Sequence, residues 1–181
     1  MATLFRSADD LLQQYATYHR DRRNIVTHFV GVPMIVFAVG VLLARPVFEV
    51  AGVLLTPAWI VFVMVALWYS SRGHFGIGIA TNVGVGLLML AAHQVNGGGV
   101  WQWLAWGAGF FVVGWLIQFI GHYYEGSKPA FADDIVGLLV GPMFVVLEML
   151  APLGFFKGLM DRVEGHAGPT LIRDLAHPAT R

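Results

Sequence analysis

Residues 100–125, V-W-Q-W-L-A-W-G-A-G-F-F-V-V-G-W-L-I-Q-F-I-G-H-Y-Y-E, join a long apolar run to a polar end. The run is long enough to cross a bilayer, which takes about 20 apolar residues. Its tryptophans lie near its ends, as is typical of membrane interfaces. If the helix continues, His122 and Glu125 share one face with Gln118, one turn earlier. An imidazole and a carboxylate at a membrane boundary indicate a metal, a proton path or a headgroup site.

The composition of the whole chain indicates an integral membrane protein. Of its 181 residues, 57% are hydrophobic and 12% are charged, and the mean hydropathy is +0.67. A soluble domain carries about 25% charged residues. We therefore expect one integral-membrane domain over residues 1–156, followed by a polar C-terminal tail over residues 157–181.

Charge and cysteine usage exclude several classes of function. The formal net charge is zero, which argues against a nucleic-acid partner because phosphate binding needs a basic face. The absence of cysteine excludes disulfides, thiolate metal sites, iron–sulfur clusters and cysteine nucleophiles. The first residues include acidic ones and no apolar core, unlike a secretory signal peptide.

The N-terminal residues predict an amphipathic helix over residues 7 to about 22. Ser7 and Asp10 have the spacing of a capping box. Apolar residues then recur at roughly helical spacing: Leu4, Leu11, Leu12, Tyr15 and Tyr18. Such a helix lies either on the membrane surface or against the rest of its own protein.

Five apolar runs follow, at about 29–44, 47–70, 75–92, 100–121 and 135–156. We predict an all-α, multi-pass membrane helical bundle with four spans. The fifth run is interrupted, so we expect it to be re-entrant or interfacial. Its interrupting residues are Gly137, Gly141, Pro142, Glu148 and Pro152.

The distribution of Lys and Arg predicts that both termini are cytoplasmic. The loops and ends assigned to that side hold most of the basic residues: Arg6, Arg20, Arg22, Arg23, Arg72, Lys128, Lys157, Arg162, Arg173 and Arg181. The opposite side holds Arg45. The corresponding location is a bacterial inner membrane, or the endoplasmic reticulum in a eukaryote.

This topology divides the histidines into three groups. One group lies near the cytoplasmic face: His19, His28, His74 and His122. His93 lies toward the opposite side, and the polar tail holds His166 and His177, for which we expect a solvated surface role. We expect a structural or surface role for His74, which follows a glycine in a loop.

His19 and His28 can reach one centre only if the chain bends between them. They are nine residues apart, which places them on opposite sides of a straight helix. A junction between a surface helix and a spanning helix near residues 22–24 would supply the bend. Asn24 shares a helix face with His28. The alternative is a pair of unrelated interfacial histidines.

Histidines converging with a carboxylate on one membrane face would suit a metal. Imidazole, carboxylate and water are ligands of zinc, copper, non-haem iron and nickel, and two histidines with one carboxylate indicate ferrous iron. No compact H-E-x-x-H motif is present. Glu148 lies within an apolar run, where it could orient a ligand histidine. For Asp133 and Asp134 we expect a helix-capping role.

Three segments together resemble the 2-hydroxy fatty acid dioxygenase family. They are Y-H-R-D-R-R-N-I-V-T-H-F-V-G-V-P at residues 18–33, W-L-I-Q-F-I-G-H-Y-Y-E-G-S-K-P-A-F-A-D-D at 115–134 and G-P-M-F-V-V-L-E at 141–148. The resemblance covers about residues 10–156 in order. It implies a multi-pass membrane enzyme that uses iron(II) and O2 to shorten a 2-hydroxy fatty acid by one carbon, released as an aldehyde in the fungal case.

The resemblance also implies a set of site residues. His19, His28 and His122 match histidines thought to hold the iron, and His93 is a fourth candidate ligand. Polar positions of the same motifs match Asn24, Gln118, Glu125 and Glu148. For Glu125 we favour a role in orienting a ligand or the substrate over direct ligation.

The implied partners are a 2-hydroxy fatty acid, O2 and membrane lipid. Fe(II) would accept the substrate carboxylate and 2-hydroxyl as a chelate and leave a position for O2. The acyl tail would lie among Phe29, Phe37, Phe110, Phe111 and Leu116. Two alternatives remain open: a non-enzymatic membrane protein that binds or transports lipid, and a haem protein with paired axial histidines, one of them His93.

Overall fold

A computed structural model describes residues 5–126 and 136–175, and it is almost entirely helical. The helices are α1 (Ala8–Ala16), α2 (Arg22–Ala44), α3 (Pro57–Ser70), α4 (Phe75–Gln94), α5 (Val100–Leu104), α6 (Phe110–Glu125), α7 (Gly137–Leu150) and α8 (Lys157–Ala167). A π-helical turn at Ala105–Gly109 joins α5 to α6, and a 3-10 turn at Ala151–Leu153 follows α7. The strands β1 (Phe48–Val50) and β2 (Val53–Leu55) form one antiparallel hairpin. The predicted all-α class is confirmed.

Helix α2 is the centre of the bundle and packs against α3, α4, α6 and α7. It begins after Asp21, whose side chain accepts a hydrogen bond from the backbone N–H of Arg23. Pro33 lies inside the helix without ending it. The sequence of α2 is apolar around most of its circumference, as expected for a helix surrounded by other helices and lipid.

The contact between α2 and α6 depends on glycines that let the two backbones approach. A Cβ added to Gly31 would lie 3.0 Å from the carbonyl oxygen of Gly114, and a Cβ on Gly114 would lie 3.1 Å from that of Gly31. About two turns further along α6, a Cβ on Gly121 would overlap the side chains of Asn24 and Thr27. Small residues are the usual means of close helix packing in lipid, where apolar burial gives little driving force.

Helix α1 is docked on the protein itself. Its cap has the predicted form, because Ser7 Oγ accepts from the Asp10 backbone N–H at 3.1 Å. Its apolar face packs against α7 and α8. The buried side chains of that face are Ala8, Leu11, Leu12, Tyr15 and Ala16. Of the two alternatives predicted for this helix, the structure therefore shows docking against the rest of the protein.

Within residues 5–126 and 136–175, three helical segments are long and apolar enough to cross a membrane: Arg22–Ala44, Phe75–Gln94 and Val100–Glu125. A fourth span exists if α7 and α8, which meet at a bend of 115°, count as one. Gly154 and Phe156, both with positive φ, lie at this bend. Helix α7 continues through Gly141 and Pro142, so the interruption expected in the fifth apolar run lies at the end of the run, at residues 151–156.

The second apolar run, 47–70, is divided rather than continuous. Its first part forms the exposed β1–β2 hairpin, and α3 has only 14 residues. The hairpin turns at Ala51 and Gly52, which both have positive φ, and Pro57 occupies the first turn of α3. Apolar composition alone did not show this division, since a turn at Ala51 has no strong sequence signal.

The glycine contact between α2 and α6 gives a stability prediction. We expect Gly114→Ala to lower the free energy of unfolding by about 1–3 kcal/mol, because its new Cβ meets Ile35 and the Gly31 carbonyl. Gly109→Ala is the matched control, since a Cβ there meets nothing within 4 Å. Thermal unfolding of both variants in detergent checks this, and equal melting temperatures would contradict the close packing.

Candidate metal centre

Three histidines from separate parts of the chain meet inside the protein. His19 lies in the loop after α1, His28 in the second turn of α2 and His122 in the last turn of α6. Their ring centroids are 4.5 Å (His19–His28), 5.0 Å (His19–His122) and 5.2 Å (His28–His122) apart. All three side chains are buried, and one ligand nitrogen from each lies within 4.8 Å of the others.

The hydrogen bonds of two of these rings fix their tautomers. His19 Nδ1 lies 2.7 Å from the carbonyl oxygen of Tyr15, and His28 Nδ1 lies 2.8 Å from that of Asn24. A carbonyl only accepts, so each Nδ1 carries the proton and each Nε2 of a neutral ring presents a lone pair. The two Nε2 atoms face each other at 3.0 Å. Two lone pairs at this distance repel unless a cation lies between them.

This arrangement fits a metal ion. Two nitrogens about 2.1 Å from one ion, at right angles to it, are about 3.0 Å apart. Metal-ligating histidines usually donate their other ring N–H to a carbonyl or carboxylate, as His19 and His28 do here. A set of three imidazoles suits zinc, iron, copper or nickel.

Tyr15 and Phe144 hold the ring of His19 in place. The Tyr15 ring stacks on it at 4.0 Å, nearly parallel, and Phe144 contacts it at 5.4 Å. Burial, followed by the neighbouring His28 and His122, lowers the pKa of His19 well below its usual value, so the ring stays neutral and able to bind a metal. The sequence offered one signal for Tyr15, its position four residues before His19.

The bend between His19 and His28 is held by the buried carboxylate of Glu125. Its Oε2 accepts from the backbone N–H groups of Arg20 at 3.0 Å and Asp21 at 2.7 Å, and from Asn24 Nδ2 at 3.2 Å. Its Oε1 forms an ion pair with Arg173 at 2.9 Å. The carboxylate thus binds the loop that carries His19.

Arg20 also stabilises the loop that carries His19. Its guanidinium forms a 2.9 Å ion pair with Glu148 of α7 and donates to the carbonyl oxygens of Ala16 and His19. Both Arg20 and Glu148 are largely buried, so removing either one would leave the other as an uncompensated buried charge. Glu148 is therefore connected to the His19 loop through Arg20.

The C-terminal segment 168–173 lies along the loop as a strap. Leu171 pairs with the backbone on both sides of Asp21: its N–H donates to the Arg20 carbonyl at 2.9 Å, and its carbonyl accepts from Arg22 N–H at 2.8 Å. Asp21 Oδ2 accepts from the backbone N–H of Arg173 at 2.9 Å. No local pattern in the sequence indicates this contact, because it links residues about 150 positions apart.

Gln118 lies one turn before His122 and faces a cavity that begins at the histidines. Its side chain is buried, and Oε1 has no hydrogen-bond partner among the described residues. A buried amide oxygen without a partner costs about 1–3 kcal/mol, so a ligand that donated a hydrogen bond to it would be favoured. Gly31 leaves the space that the Gln118 side chain occupies.

The cavity has a volume of about 330 Å³ and runs between α2, α3, α4, α6 and α7. Four polar side chains lie at its histidine end: Tyr15, His28, Gln118 and His122. Most of the remaining wall is aliphatic or aromatic, and none of its residues is charged. Cavities of this size and composition hold small apolar ligands with a polar group at one end.

The structure does not bring His93 to the other histidines. Its Nε2 lies 3.0 Å from Thr56 Oγ1, its Nδ1 donates to the Met89 carbonyl, and its ring stacks on Trp59. His74 caps α4 by accepting from Ile77 N–H. The predicted cap residues Asp133 and Asp134, and His177 of the tail, lie outside the described residues.

Comparisons with known proteins agree on one family. Residues 5–153 match the family model described as Mpo1-like, 2-hydroxy-palmitic acid dioxygenase Mpo1-like. The chain is 30% identical over 154 residues to the 2-hydroxy-palmitic acid dioxygenase MPO1 of Saccharomyces cerevisiae, covering 83% of each protein. No solved structure matches the chain significantly.

The carboxylate of Glu125 gives a test of the loop geometry. We expect Glu125→Gln to lower the free energy of unfolding by about 1.5–3 kcal/mol, because charged hydrogen bonds to buried donors become neutral ones. Chemical denaturation in detergent measures this. Glu49→Gln, at an exposed position in the hairpin, is the control. If the two variants were equally stable, Glu125 would not hold the loop.

Proposed function

The chain belongs to the Mpo1-like family, and from this premise we propose that it is an iron(II)-dependent dioxygenase that oxidises 2-hydroxy fatty acids to a product one carbon shorter. The observation that carries the proposal is the pair of facing Nε2 atoms of His19 and His28, 3.0 Å apart in a buried three-histidine cluster. This cluster opens into an apolar cavity, the environment that a fatty acyl chain requires.

We propose His19, His28 and His122 as the metal ligands. Bound iron(II) would supply sites for O2 and for the carboxylate and 2-hydroxyl oxygens of the substrate. Glu125 and Arg20 act on these ligands indirectly, by fixing the loop that carries His19. A histidine that is held by its Nδ1 hydrogen bond needs no reorganisation to bind the ion.

Gln118 is proposed to orient the substrate. Its amide lies beside His28 and His122 in the wall of the cavity and offers an acceptor oxygen with no partner of its own. The 2-hydroxyl group of the substrate is a donor, and an unsubstituted fatty acid lacks it. The apolar wall excludes water from the reacting end and strengthens these polar contacts.

The geometry favours this enzyme over the two alternatives. Three imidazoles directed at one point leave no slot for a haem between paired axial ligands, and His93 is held by Thr56 elsewhere. A lipid carrier would need the cavity but not the facing Nε2 atoms. We also propose that the site lies near the cytoplasmic face and that both termini are cytoplasmic, from the distribution of basic residues.

Metal content is the direct test of the proposed ligands. We expect purified protein to carry one iron per chain, and His122→Ala to lose it because one of three ligands is removed. His166→Ala, at an exposed position in α8, is the matched control and should retain the metal. Elemental analysis and a thermal melt of each variant separate loss of metal from loss of fold. A wild type without a stoichiometric transition metal would refute the proposal.

Substrate orientation by Gln118 predicts a separate effect. Gln118→Leu should raise KM for 2-hydroxypalmitate about tenfold, the effect of losing one hydrogen bond worth about 1.4 kcal/mol, while iron content stays unchanged. The readout is O2 consumption with 2-hydroxypalmitate, and unsubstituted palmitate should give none. Gln94→Leu, at the exposed end of α4, is the control. An unchanged KM would show that Gln118 does not orient the substrate.

A further inference from the structure

The cavity that begins at the histidines has a closed far end. Its wall follows one side of α2 from His28 to Leu43, and its farthest residues on the neighbouring helices are Ala58 of α3 and Met89 of α4. Ala58 and Met89 belong to a buried apolar cluster with Ala44. The polar groups are therefore at one end and a packed apolar wall is at the other.

The length of the cavity can be measured along α2. Fifteen residues separate His28 from Leu43, which at about 1.5 Å each is about 22 Å. Bonds of about 1.5 Å at tetrahedral angles advance an extended hydrocarbon chain by about 1.25 Å per bond. The distance between the histidines and the far wall therefore corresponds to a chain of about 18–19 carbons.

The far wall is fixed by its own contacts. The end of the Met89 side chain packs against Gly40, where an added Cβ would lie 2.7 Å from Met89 Cε. Behind Ala58, the Trp59 ring stacks on His93 at 4.8 Å, and His93 joins Thr56 at the start of α3 to the end of α4. This assigns His93 a place behind the closed end, remote from the metal centre.

The side of the cavity opens toward the lipid. Phe111 and Leu138 both line the cavity, and they are 36% and 43% exposed. Among the described residues, α6 and α7 have no extended contact with one another, so the wall between them is incomplete. Of the five side chains suggested by sequence for the acyl tail, the cavity includes Phe111.

We propose that this cavity is an acyl-binding channel and that the wall formed by Leu43, Ala58 and Met89 sets the longest fatty acid it accepts. The occupant is a single acyl chain, since most of the wall is apolar and the histidines and Gln118 lie at one end. This inference deepens the proposed function, which supplies the reaction at the polar end. Binding of the chain itself depends only on the channel.

Two substitutions of opposite sign test the far wall. Ala58→Leu shortens the channel by about two carbons, and Met89→Ala lengthens it by about as much. Ala91→Leu, at an exposed position of α4 outside the channel, is the matched control. The measurement is displacement of a fluorescent fatty acid from the full-length protein by lauric, palmitic and arachidic acids, with and without added iron.

We expect Ala58→Leu to weaken the binding of arachidic acid relative to that of lauric acid about tenfold or more. Met89→Ala should shift the binding preference toward arachidic acid. Ala91→Leu should match the wild type. If the wild type and the three variants, each shown to be folded by its thermal melt, had the same ratio of affinities for arachidic and lauric acids, the inference would be overturned. If the variants shift the ratio of the affinities for arachidic and lauric acids but the protein consumes no O2 with 2-hydroxypalmitate, the acyl channel is supported and the dioxygenase activity is refuted. If the protein consumes O2 with 2-hydroxypalmitate but the affinity ratios do not change, the dioxygenase activity is supported and the role of the far wall is refuted.

Discussion

The carboxylate of Glu125 is the constraint on which the site depends. It is fully buried at the end of α6, and a buried charge is tolerated only when its hydrogen-bonding capacity is met. Two backbone N–H groups and an amide donate to Oε2, all three from the chain between His19 and His28, and Arg173 forms an ion pair with Oε1. The chain therefore turns beside Glu125, and that turn brings two histidines nine residues apart onto one point.

The packing of the helices around α2 then gives the site its chemical character. Glycines at the α2–α6 contact place His122 beside His28 and leave room for Gln118. The other helices meet α2 less closely, and the space they leave is the apolar cavity. Polar groups that can hold a metal thus lie at one end of a volume that only an apolar molecule fills well. This combination is what an enzyme acting on the carboxyl end of a fatty acid requires.

The C-terminal strap extends the protein beyond the part that matches the family model, which ends at residue 153. Its backbone pairs with the His19 loop, and Arg173 completes the charge balance of Glu125. Helix α8, just after the predicted domain boundary at residue 156, packs on α1 through Leu159 and Val163. The residues that surround the site therefore come from both ends of the described chain.

The sequence by itself determined the helical membrane class, the cap of α1 and the candidate histidines, because hydropathy and spacing along one helix are local properties. It also indicated that the chain must bend between His19 and His28. Only the tertiary structure decided which groups meet: Tyr15 with His19, Arg20 with Glu148, and Glu125 with a loop about a hundred residues earlier. It likewise placed His93 behind the closed end of the cavity and divided the second apolar run. These features depend on contacts between helices distant in sequence, and neither periodicity nor composition records such contacts.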